Sequence, residues 1–133
     1  MATPPTIDLG AVPLFASLPA SDRELLARNL DEMSFPAGET LITEGKGNHT
    51  FFVLRAGEVE IRAPGRPSRR LGPGEFFGEI SMDQHVPAVA SVVALTPVTA
   101  WVMSHIQFRA VKGNESLLLR LRTAMVDRLL ANR

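Results

Sequence analysis

The sequence contains no cysteine and a single tryptophan, and no stretch of it approaches the ~20 consecutive apolar residues that a membrane-spanning helix requires. Without cysteine, disulfides and thiolate metal sites are excluded. The start of the chain, Met1 to Phe15, lacks the charged beginning and continuous apolar core of a signal peptide. Charge of one sign is missing too. The 14 basic residues balance 14 acidic ones, so no strong global field draws nucleic acid or an anionic membrane, although local patches remain open. The basic residues are nearly all arginine, which suits forked anion contacts. The expectation is a soluble, cytoplasmic chain with neither nucleic acid nor membrane as a partner.

Catalytic and cofactor chemistry is equally sparse. His49 and His105 are isolated and fit no metal-ligand spacing. Gly45 and Gly47 mark a turn, because no Gly-Lys-Ser/Thr follows to complete a phosphate loop. Ser81, Asp83 and His85 are too close in sequence to converge as nucleophile, base and orienter, and no oxyanion site accompanies them. No enzyme, no metal and no required cofactor are expected. A chain of 133 residues fits one domain whose core folds without staples.

What is present centres on Arg69 to Val92. That stretch reads as a strand, a Gly72-Pro73-Gly74 turn, the Phe76-Phe77 pair, a short helix opened by Glu79, a polar loop and another strand. A helix N-terminus offers unpaired N–H groups and partial positive charge, and so favours an anion such as phosphate. Upstream, Pro13 to Pro19 spaces Leu14, Phe15 and Leu18 as a helical turn, and Ser21 with Glu24 forms a capping-box pattern for a helix carrying Leu25, Leu26 and Leu30. The period changes at Met33, and Phe35 to Glu39 reads as a turn. Strands are predicted over Thr40–Thr43, Thr50–Arg55, Val59–Arg62, Arg69–Leu71, Ala90–Ala94 and Val98–Ser104, separated by glycine turns, with Trp101 in the core. Short strands at such spacing indicate a sandwich or jelly-roll barrel. Helices return over His105 to Lys112 and, capped by Asn114, through Leu130, with Leu118, Leu121 and Met125 on one stripe widened by Val126, Leu129 and Leu130. That broad face either lies on the barrel or pairs with a second copy or a downstream segment. The basic residues Arg109, Lys112, Arg120, Arg122, Arg128 and Arg133 read as a solvated helix face.

A helix, an eight-stranded roll and closing helices around Phe77-Gly78-Glu79-Ile80-Ser81-Met82 resemble the cyclic-nucleotide-binding domain family. That family includes regulatory subunits of cyclic-AMP-dependent kinase, bacterial cyclic-AMP receptors and nucleotide-gated channels. Leu54-Arg55-Ala56-Gly57-Glu58-Val59 resembles its strand–Gly–Glu–Val turn, and Gly72 to Glu79 resembles the entry to its phosphate-binding cassette. The resemblance implies a mainly β fold, an eight-stranded jelly roll with an N-terminal helix and C-terminal helices. It also implies one domain over 1–133: a tail to about 12, a helical part 13–32, a roll 33–104 with its cassette at 72–92, and helices 105–133.

By the same resemblance, Glu79 meets a ribose hydroxyl and backbone N–H groups beside Phe77, Gly78, Ile80 and Ser81 meet a cyclic phosphate. The family's Pro-Arg-Ala-Ala-Thr-Val pattern corresponds here to Pro87, Ala88, Val89, Ala90, Ser91 and Val92, so the phosphate-neutralising arginine is replaced by Ala88. Losing one partner of a buried charge pair costs ~3–5 kcal/mol, roughly two to four orders of magnitude in affinity. Arg55, His85 or an arginine of the Ala63–Arg70 loop are the local candidates for a substitute cation. The expected function is a non-catalytic, regulatory ligand-sensing module. It binds cyclic AMP or cyclic GMP weakly or with altered specificity and relays occupancy through its C-terminal helices. The alternative is a protein-interaction or dimerisation module that has lost its ligand, with a second copy or an effector domain on the last helix.

Overall fold

Apolar residues that alternate along the chain form strands with one face buried, and those recurring every three to four residues form helices. In a computed structural model, which describes residues 12–48, 50–78 and 87–131, the elements run α1 (Pro13–Ala16), α2 (Ala20–Arg28), β1 (Asp31–Phe35), β2 (Thr40–Ile42), β3 (Thr50–Ala56), β4 (Val59–Arg62), β5 (Arg69–Leu71), β6 (Phe76–Phe77), β7 (Ser91–Ala94), β8 (Val98–Ser104), α3 (His105–Lys112) and α4 (Glu115–Ala131). Two compact units result. One is Asp31–His105; the other gathers the described parts of Met1–Leu30 and Ile106–Arg133.

The first unit is a β-roll of two four-stranded antiparallel sheets among the described residues, ordered β1-β8-β3-β6 and β2-β7-β4-β5. Its interior follows the period of two: Phe52 and Leu54 of β3, Val98, Ala100 and Val102 of β8, Val92 and Ala94 of β7, with Ile42, Val59, Leu71 and Phe77. Phe52 stacks on Phe77 at 4.7 Å and meets Phe35 edge-on at 6.0 Å, contacts that add ~0.5–1.5 kcal/mol each to the burial of the rings. The alternate residues Phe51, Val53, Trp101 and Met103 are buried as well, so β3 and β8 read as near-continuous apolar runs. Between β3 and β4 the chain reverses at Gly57, whose φ of +88° and whose contact with the Pro97 carbonyl leave no space for a side chain. The neighbouring Glu58 N–H donates to Thr96 Oγ1 at 3.0 Å.

Two strands were absent from the sequence-based expectation: β6, whose two residues are too few to alternate, and β1. β1 pairs in full register with β8, from Asp31↔Val102 to Phe35↔Val98, although its residues are mostly exposed and polar. It is an edge strand, so its alternation carries no buried face to betray it.

In the helical unit, two expectations require correction. Helix α2 begins at Ala20 rather than after Ser21: Pro19, extended at ψ 153°, is the N-cap, with no side-chain cap bond, and its carbonyl accepts the Asp22 and Arg23 N–H groups. The Asp22 carboxylate is engaged elsewhere, by both Nε (2.5 Å) and Nη2 (2.9 Å) of Arg120 on α4. The apolar stripe of α4 is phased on Leu117, Leu121 and Ala124, all buried, and not on Leu118, which is half-buried. The reason is the start of the helix. Asn114 Oδ1 accepts the Leu117 N–H at 3.0 Å, the expected cap, and fixes that residue in the first turn facing inward.

Candidate functional site

The site expected from the sequence begins where β6 ends. The Gly72–Glu75 turn that leads into it is closed by the Glu75 carboxylate, which accepts the Gly72 N–H at 2.6 Å. Gly74 N–H donates to Leu54 O and Leu54 N–H to Glu75 O, both at 2.8 Å, so the turn is tied to β3. Phe77 then buries its ring in the roll interior against Phe52. Gly78 follows with φ +91°, and a Cβ there would stand 2.5 Å from the Thr50 carbonyl. No other residue type fits that backbone without displacing it.

Glu79, Ile80 and Ser81, together with the short helix expected to carry them and with His85, lie outside the described residues. The description resumes at Pro87. Ala88 is 5% exposed and belongs to the apolar interior beside Ile42, Phe77 and Val92. Val89 turns outward and is 68% exposed, while Ala90 is half-buried. Ser91 lies on the outer face of its sheet, opposite to Val92. Its Oγ accepts the Glu44 N–H at 3.0 Å, and it lines a shallow cavity of about 460 Å³ with Thr40, Thr43, Arg62 and Val93. Phe77 and Ala88 therefore share the roll interior, and Ser91 does not.

Electrostatics inside the roll are set by what fails to enter it. Arg55 alternates with Leu54 and leaves the opposite face of β3, where Nη1 binds Glu32 Oε1 at 2.8 Å and the guanidinium lies 5.9 Å from the Trp101 ring centre. Arg62 points outward and pairs with Glu60; Arg66, Arg69 and Arg70 are exposed. Among the described residues, none of the arginines considered as substitute cations joins the cluster around Ala88.

The chain segments are joined by a turn that sequence reading treated as punctuation. Asn48 Nδ2 donates to Gly78 O at 3.0 Å and to Thr50 O at 2.8 Å, and its Oδ1 accepts the Thr50 N–H at 3.2 Å. Gly45 N–H donates to Ala88 O at 2.8 Å, Ala88 N–H donates to Lys46 O at 2.9 Å, and Gly47 bridges Pro87. The only signal was an asparagine closing a glycine turn.

The family model for the cyclic nucleotide-binding domain matches residues 32–131. The chain belongs to that family. The cyclic nucleotide-binding domain seen here is 34% identical over 117 residues to a cAMP-dependent protein kinase regulatory subunit of Neurospora crassa, covering 86% of this chain and 30% of that protein. The chain thus spans less than a third of this curated relative. Among solved structures, the catabolite activator protein of Thermus thermophilus is similar at 25% identity and a TM-score of 0.73, over 90% of this chain and 59% of that one. The regulatory subunit of a cAMP-independent protein kinase A from Trypanosoma cruzi, bound to guanosine, is similar at 25% identity and a TM-score of 0.69, over 80% of this chain and 39% of that one. Among the described residues, no helix is long and apolar enough to cross a membrane.

Proposed function

We propose that this domain is a non-catalytic ligand-sensing module whose cassette, Phe77 to Ser91, takes a cyclic nucleotide weakly or prefers a less charged relative of one. The observation that carries this reading is Ala88, a methyl group buried in an apolar cluster at the position where the family resemblance expects a phosphate-binding arginine. A cyclic phosphate entering there exchanges water for hydrocarbon without a compensating cation from the described residues, which costs several kcal/mol per unpaired charge. Gly78, held at φ +91°, and Glu79, as ribose acceptor, are the polar part of the proposed site. The Trypanosoma cruzi relative is bound to guanosine, an uncharged nucleoside, and that chemistry suits a site without a cation. Occupancy is relayed through α3 and α4 to an effector domain, in cytoplasm.

Titration calorimetry with cyclic AMP, cyclic GMP, adenosine and guanosine tests the reading. Heat is expected from the nucleosides, and from the cyclic nucleotides only at high concentration. No heat from any of the four at millimolar ligand removes ligand sensing and leaves the second reading, a protein-interaction module. That second reading has its own observation: Leu119 and Val126, seven residues apart on α4, are 68% and 53% exposed.

A further inference from the structure

We propose that the turn Glu44–Asn48 is the positioning element of the ligand site, and that Asn48 is its principal positioning residue. The inference rests on the cassette reading above for the identity of the ligand, but its geometry stands by itself. The turn reaches both ends of the 79–86 stretch. At the entry, the Asn48 carboxamide spans two backbones: one N–H₂ group donates to Gly78 O and Thr50 O, while its oxygen receives the Thr50 N–H. At the exit, Gly45 and Lys46 exchange hydrogen bonds with Ala88, and Gly47 bridges Pro87. The Glu44 N–H extends the same series to Ser91 Oγ.

The spacing between Gly78 and Ala88 is accordingly set by a third piece of chain, through backbone groups and one side chain. Gly78 has no slack, because a Cβ built on it would stand 2.5 Å from Thr50 O and 3.0 Å from Asn48 Nδ2. A ligand held between Gly78 and Ala88 depends on that spacing, since a binding group displaced by an ångström loses its hydrogen-bond geometry. Asparagine suits the position because it donates and accepts from one planar group. Aspartate retains the acceptor for Thr50 N–H, and loses both donors.

The test uses the full chain and two variants, Asn48→Asp and Asn48→Ser, the latter too short to reach Gly78 O. Amide hydrogen exchange across 76–92 is compared with exchange across Thr50–Ala56 and Val98–Ser104. Both variants are expected to speed exchange in 76–92 by about tenfold, the loss of the one side-chain hydrogen bond to Gly78 O, with the two strands unchanged. Carried into the Ala88→Arg chain, Asn48→Asp is expected to weaken cyclic AMP binding by about tenfold while the melting midpoint stays near its parent's. Unchanged exchange in 76–92, or a rise shared equally by the strands, overturns the proposal; so does global unfolding of both variants, which would make Asn48 a general prop. If Ala88→Arg binds no cyclic AMP, the cassette reading fails and the exchange data alone decide the positioning role.

Discussion

At the scale of single residues, Ala88 is where the proposed site is tested. Its methyl group completes an apolar interior, so an arginine introduced there faces two opposed effects. Without ligand, the guanidinium must leave water or push toward the roll opening, and the chain loses stability. With a cyclic phosphate to pair with, the same charge recovers its partner. Ala88→Arg is therefore expected to lower the melting midpoint of the free protein and to raise cyclic AMP affinity by roughly two to four orders of magnitude, the converse of removing one partner of a buried pair. Calorimetry and a thermal melt with and without ligand check both halves. A destabilised variant with unchanged affinity would show that the polar half of the cassette no longer receives a nucleotide.

At the scale of elements, an ion pair ties α2 to α4. Asp22 is buried, and Arg120 grips both of its oxygens. The hydrogen bond to Asp22 foremost, and its charge in lesser measure, hold the Arg120 guanidinium above its ordinary value, with desolvation working against them. A cation whose folded-state value is raised contributes stability fully below the unfolded value and loses it only as pH climbs through the folded one, far above neutrality. Arg120→Ala is expected to lower the melting midpoint by several degrees, and by the same amount at about pH 6 and pH 9, because the raised Arg120 guanidinium stays charged throughout that window. A strongly pH-dependent difference would assign the effect to another group. Nothing local hints at this pairing, since its members lie 98 residues apart and Arg120 reads as part of a solvated helix face. What was legible had local causes. The strands Val59–Arg62, Arg69–Leu71 and Val98–Ser104 and the Asn114 cap stand where alternation and capping chemistry place them. β1 was invisible because an edge strand is specified by its neighbour, and Asn48 because its role depends on where Gly78 arrives. The commitment of Arg55 to Glu32 required the fold.

At the scale of the whole molecule, the open question for function is what meets α4. Leu119 and Val126 share one face of that helix and are exposed, with Arg122 between them in sequence. If a second copy covers the face, Leu119→Lys with Val126→Lys shifts the sedimentation profile to monomer and leaves the β-roll intact; an unchanged profile means that the face is not a self-association surface. The roll itself has a different large-scale property. Its last strand, β8, lies between the first and the third, pairing Asp31 with Val102 and Thr50 with Ser104. During synthesis, β1 must wait unpaired, and β3 with no partner but the two residues of β6, until residue 104 has cleared the ribosome. Such non-local pairing places folding of the roll in the range of roughly milliseconds to seconds, not microseconds. The apolar run of β3 is thus a burden on the nascent chain before it is the centre of the finished one, and its protection falls to whatever binds exposed hydrophobic segments in the cell.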